Sequence, residues 1–144
     1  MDNAGAFTLG DIAIAGPGST DGPIVDSLDG MTGYTVQVVC QPGPGSDPEA
    51  AVAVYIKTSI DQGERWIDSA VFRFRAGDGV GIQVLSVQAK STLDPIVPTT
   101  DAEADTSNSV IVDGILGDRL MATAIVANGT LAGASVVNVR ACVR

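Results

Sequence analysis

The sequence predicts an all-β fold: an antiparallel β-sandwich of eight or nine strands with jelly-roll-like connections. Three observations predict it. Apolar and polar residues alternate with period two in short runs, the signature of half-buried strands. Seventeen Gly and seven Pro are spread along the 144 residues as turn punctuation. No stretch has the three-and-four spacing of an amphipathic helix. The chain is 45% hydrophobic and only 17% charged, a composition suited to a packed domain and unlike that of a disordered tail. Residues 1–23 read as an N-terminal arm with the first strand, and residues 24–144 as the sandwich domain.

In chain order, Phe7 to Ala15 reads as a strand with a bulge at Gly10. Gly16 to Pro23 is a turn cluster. Ile24, Val25 and Leu28 predict a short strand, and Asp29-Gly30 a turn. Tyr34, Val36, Val38 and Cys40 alternate cleanly with Thr35, Gln37 and Val39. The Pro-rich stretch Gln41–Glu49 is a loop. Two strands follow, Ala51 to Thr58 and Trp66 to Phe74. The first puts Val52, Val54 and Ile56 on one face. The second puts Trp66, Asp68, Ala70, Phe72 and Phe74 on one face. After the turn Ala76–Gly79, Val80, Ile82 and Val84 alternate in another strand. Residues 94–108 form the longest weakly patterned piece, and loops of that length are often ordered by a partner. Val110 to Ile115, Leu120 to Ala127 and Val136 to Val143 complete the strands. Asn128-Gly129 is a strong hairpin signal, because type I′ turns need positive φ at both positions.

The centre of the chain is Thr58-Ser59-Ile60-Asp61-Gln62-Gly63-Glu64-Arg65-Trp66. An Asp carboxylate can accept backbone amides two residues on, and Gly accepts positive φ, so Asp61 and Gly63 predict a hairpin. Ser59, Asp61, Gly63 and Trp66 match the spacing of the Asp-box hairpin, with Arg65 where Thr is usual. That resemblance implies a fold-forming turn; the alternative it brings is a blade of a glycan-processing propeller. A propeller needs several such blades, and only one copy is present. Trp66 is the sole tryptophan and the expected anchor of the core.

Charge and composition exclude several functions. Net charge is −9 and there is no histidine. Nucleic-acid binders need a basic footprint, so no nucleic acid is expected as a partner. No apolar run is long enough to span a membrane, and the start has neither the basic nor the apolar region of a secretory signal. Cys40 and Cys142 are therefore expected as reduced thiols. Histidine-dependent relays and zinc sites have no material. Asp101, Glu103 and Asp105 alternate as calcium ligands might, but Thr106 and Val112 stand where an EF-hand needs Gly and Glu. The carboxylate pairs Asp26/Asp29 and Asp61/Asp68 read as turn and cap residues rather than a glycosidase dyad. No catalytic residue, metal or cofactor is expected.

A longer pattern links these pieces. It comprises Leu28-Asp29-Gly30-Met31, Val52 through Asp68, Phe72-x-Phe74, and Val112-Asp113-Gly114-Ile115-Leu116-Gly117-Asp118-Arg119. This resembles small virion structural proteins of tailed bacteriophages and prophages, especially of α-proteobacterial hosts, over roughly residues 25–144. The resemblance implies a non-enzymatic structural component made in the host cytoplasm. It points first to a capsid decoration (cement) protein on the capsid surface. Its partners would be the phage major capsid protein and copies of itself, as a dimer or trimer. The alternatives are a tail or head-to-tail connector protein and a carbohydrate-binding module that stacks sugars on Trp66, Tyr55 or Tyr34. Phe7 and Leu9 on the arm, and Ile96, Val97, Asp101 and Asp105 in the 94–108 loop, are the candidate partner-binding residues.

Overall fold

The computed structural model describes residues 5–90 and 114–144. Eight strands run through them: β1 (Gly5–Ala13), β2 (Gly18–Asp21), β3 (Gly33–Gln41), β4 (Ala51–Ser59), β5 (Ile67–Arg75), β6 (Gly81–Gln88), β7 (Arg119–Ala127) and β8 (Val136–Val143). They form two four-stranded sheets, ordered β1-β8-β3-β6 and β2-β7-β4-β5. Every pairing is antiparallel. The fold is an all-β sandwich, as the alternation predicts.

Among the described strands, β4 and β5 are the one pair of chain neighbours that hydrogen-bond to each other. Around them β3 pairs with β6, β2 with β7, and β1 with β8. The sheets are therefore a nested ribbon whose closed tip is the central hairpin. The sequence element that looks most local is also the topological centre.

The core lies between the sheets. Tyr34, Val36, Val38 and Cys40 of β3 and Val137, Val139, Ala141 and Val143 of β8 face Val52, Val54 and Ile56 of β4 and Leu120, Ala122, Ala124 and Val126 of β7. These are the faces that period two selects. A polar bridge crosses this core: Tyr34 Oη and Ser69 Oγ lie 2.6 Å apart and are buried, joining β3 to β5. A buried hydroxyl pair satisfied in this way ties the sheets without leaving an orphan donor.

Several expectations change. Residues 5–21, read as an arm and first strand, supply an edge strand to each sheet. Leu9 is fully buried in the core, so it is not a contact residue for a partner. The bulge expected near Gly10 is present, as the register slips between Thr8 and Gly10. The turn cluster after Gly16 contains β2, whose four residues are held by pairing with β7 and by the Thr123 hydroxyl donating to Asp21 at 2.6 Å. The strand expected at Ile24–Leu28 shrinks to a single bridge between Val25 and Leu120. Asn128 and Gly129 do take positive φ, but β7 and β8 belong to different sheets. The segment is thus a crossing between sheets rather than a hairpin. In β5 a register shift opposite Ile56/Lys57 turns Asp68 away from Ala70 and Phe72, breaking the face that simple alternation predicts.

Cys40 and Cys142 sit on the neighbouring strands β3 and β8, but their register partners are Val137 and Thr35. Cys40 is buried and Cys142 exposed, and both are free thiols. The 94–108 loop, including Ile96, Val97, Asp101 and Asp105, and residues 110–113 lie outside the described residues.

Candidate functional site

The hairpin tip is built on Ser59 and Asp61. The Ser59 hydroxyl donates to Asp61 Oδ1 at 3.0 Å and accepts the Gly63 amide at 2.9 Å. Asp61 Oδ1 also accepts the Arg65 amide at 2.8 Å, while Oδ2 accepts from Arg65 Nη1 at 3.0 Å. The backbone turns through positive φ at Gln62 (63°) and Gly63 (91°). The amide bond from Arg65, reinforced by the Ser59 hydroxyl and the Arg65 guanidinium, holds the Asp61 carboxyl below its ordinary range. Arg65, at the place where the Asp box usually has Thr, thus closes the turn from both backbone and side chain.

Trp66 is buried, but it lies outside the contiguous core between the sheets. The Trp66 ring and the Arg119 guanidinium flank the turn at Gly63, where a Cβ would touch them at ordinary van der Waals distance, so it is the φ of 91° rather than a lack of space that calls for glycine. The indole therefore caps the hairpin end instead of anchoring the inter-sheet core.

The late Gly-Asp-Arg block docks on the same tip. Gly117 N–H donates to Thr58 Oγ1 at 2.8 Å, and Thr58 Oγ1 donates to the Arg119 carbonyl at 3.0 Å. Asp118 N–H donates to the Ser59 carbonyl at 3.0 Å. A Cβ on Gly117 would collide with that carbonyl oxygen, so the close approach requires glycine. The Leu28 amide in turn donates to the Asp118 carbonyl at 2.7 Å. Three sequence blocks far apart in the chain, around Leu28, Ser59 and Gly117, thus interlock at one pole of the sandwich.

Arg119 gathers the charge there. Its Nε and Nη2 reach the two Asp118 carboxylate oxygens at 3.2 Å each. That contact, with the fields of Asp26 and Asp29, raises the guanidinium further above its already high range. Its role is to hold acidic loops together.

On the outer face of the second sheet, Lys57 and Asp68 form an ion pair at 3.2 Å, with side-chain exposures of 0% and 3%. The atoms are close, yet among the described residues neither Lys57 Nζ nor Asp68 Oδ1 completes a hydrogen bond. No pattern in the sequence announces this pair, because the register slip in β5 is what brings Asp68 opposite Lys57.

Of the remaining expected site residues, Phe7 is half-buried against the core. Among the described residues no group of three or more Cys, Asp or Glu is arranged to hold a metal ion. No helix there is long and apolar enough to cross a membrane. Compared with known proteins, the chain matches no family model, no curated protein and no solved structure.

Proposed function

We propose that this chain is a non-enzymatic structural protein of a tailed-phage virion, acting as a capsid decoration protein that binds the major capsid protein. The observation that carries the reading is the clasp at the hairpin pole. The blocks that resemble virion proteins meet there, and their polar groups are used on one another. Both Asp61 oxygens are engaged, Ser59 is buried within the turn, and Arg119 is paired with Asp118. A group committed to holding the backbone is poorly placed to attack or protonate a substrate. The nested strand pairing is that of a rolled ribbon, which we read as a jelly roll, an architecture used by capsid domains.

The carbohydrate-binding alternative finds little support. Trp66, Tyr55 and Tyr34 are 3%, 3% and 0% exposed, so none offers an open stacking face. The net charge of −9 suits a position away from packaged DNA.

Cryo-electron microscopy of virions carrying this protein tests the proposal. Decoration proteins occur in copies on the order of hundreds across the head, whereas connectors form rings of about six or twelve. Density spread over the capsid surface is expected. Density confined to the tail or the head-to-tail junction would refute the decoration role.

A further inference from the structure

Among the described residues the sandwich has four edge strands, and β6 differs from the other three. An edge strand presents unpaired backbone groups to any passing strand, and proteins usually blunt such edges with charge, bulges or shortness. Among the described strands, β1 carries Asp11 and a register shift. β2 is four residues long and ends in Asp21. β5 carries Asp68, Arg73 and Arg75 and its own register shift. β6 is eight residues, Gly81–Gln88, in unbroken register with β3, and it contains no charged residue and no proline.

The strand and the residue before it also expose apolar side chains. Val80, Ile82 and Val84 are 65%, 63% and 60% exposed. These are the side chains whose alternation predicts a half-buried strand, yet they face solvent. Leu85, pointing to the opposite face, is still 40% exposed, and on that face Gln83 donates to the Arg73 carbonyl of β5 at 2.9 Å. The neighbouring strand β3 is uncharged as well, so the last two strands of this sheet form a charge-free margin on a chain of net charge −9.

We propose that β6 is a self-association edge: two copies join β6 to β6, antiparallel about a two-fold axis perpendicular to the sheet and passing near Gln83. Among the described residues β6 pairs on one side only, with β3, and such an edge calls for a β-strand as occupant. A charged partner finds no complement here, whereas a second copy offers an equally uncharged edge and avoids self-repulsion between acidic surfaces. With the axis at Gln83, Ile82 of each copy lies opposite Val84 of the other. That makes two identical β-branched cross-strand pairs and one continuous eight-stranded sheet. An interface of one strand per copy falls below the roughly 1,200 Å² of standard-size complexes, so the dimer is weak and concentration-dependent. This specifies the self-association within the decoration-protein reading, and it is tested on the purified chain apart from any virion.

Sedimentation velocity across a wide concentration range provides the test. The expected result is a concentration-dependent rise towards twice the 14.6 kDa of one chain. Val84→Lys should weaken association at least tenfold, while Val84→Thr should retain it, with circular dichroism showing all three folded. In a Cys142→Ala background, Gln83→Cys should oxidise to a covalent dimer, because the axis brings the two copies of residue 83 together. A chain that stays monomeric throughout, a dimer indifferent to Val84→Lys, or a dimer that leaves Gln83→Cys uncoupled overturns the proposal.

Discussion

Lys57 Nζ and Asp68 Oδ1 face each other at 3.2 Å on the outer side of the second sheet, both essentially without solvent contact. Removing water from two charges is costly, and their mutual attraction offsets that cost only while both are present. Lys57→Met should therefore destabilise the protein by about 3–5 kcal/mol through the buried carboxylate it abandons. The double variant Lys57→Met/Asp68→Leu should recover most of that loss. Urea unfolding of both variants decides it; equal losses would show that the pair is not coupled.

Asp61 gives a pH signature. Its folded-state acidity is increased chiefly by the Arg65 amide, then by the Ser59 hydroxyl and the Arg65 guanidinium. A carboxyl held below its unfolded value stabilises the fold above that value, about 4, and loses the contribution as pH falls through the folded value. Asp61→Asn should lower the melting temperature at pH 7 and have a markedly smaller effect near pH 2. An equal shift at both pH values would exclude linkage through this carboxyl.

Gly117 and Gly16 provide a matched pair. A methyl group at Gly117 runs into the Ser59 carbonyl, whereas one at Gly16 meets nothing within 4 Å. Gly117→Ala should cost about 1–3 kcal/mol or more as the clasp is forced apart. Gly16→Ala should change thermal stability hardly at all, which differential scanning calorimetry would read directly.

The two thiols should separate cleanly. Burial pushes the Cys40 thiol up to about 11, and Cys142 is exposed. At pH 8 a maleimide should label one thiol per folded chain, assigned to Cys142 by peptide mapping, and two in denaturant. Rapid labelling of Cys40 in the native protein would contradict the packing around β3.

How much of this was legible in the sequence depends on whether the determining contact is local. Ser59, Asp61 and Gly63 act within five residues, so their spacing announces the turn. The core faces of β3, β4, β7 and β8 are legible because alternation needs no knowledge of the partner strand. β2 is not, because Gly-Ser-Thr-Asp has no strand signal of its own and takes its shape from β7. Asn128-Gly129 has the letters of a hairpin, but Gly129 opens to φ 152° and the sheet to which β8 returns is fixed by β1 and β3. The Arg119 cluster was visible only as a block of letters, since its contacts depend on segments some sixty residues apart in the chain.

The nested ribbon carries a consequence for how such a chain can vary. Strands β3 and β6, then β2 and β7, then β1 and β8 nest in turn around β4 and β5. Adding one residue within β4 would rotate its inward face outward and break its register with both β5 and β7. Extra residues in the crossings 42–50 or 128–135 would leave the ladders in register but break the bonds that tie the two crossings together, among them the Asp47 amide to the Thr130 carbonyl and the Gly43 amide to Ser135 Oγ. Lineages of this protein should therefore keep the span from Ala51 to Arg75 at constant length, and change the two crossings together or not at all.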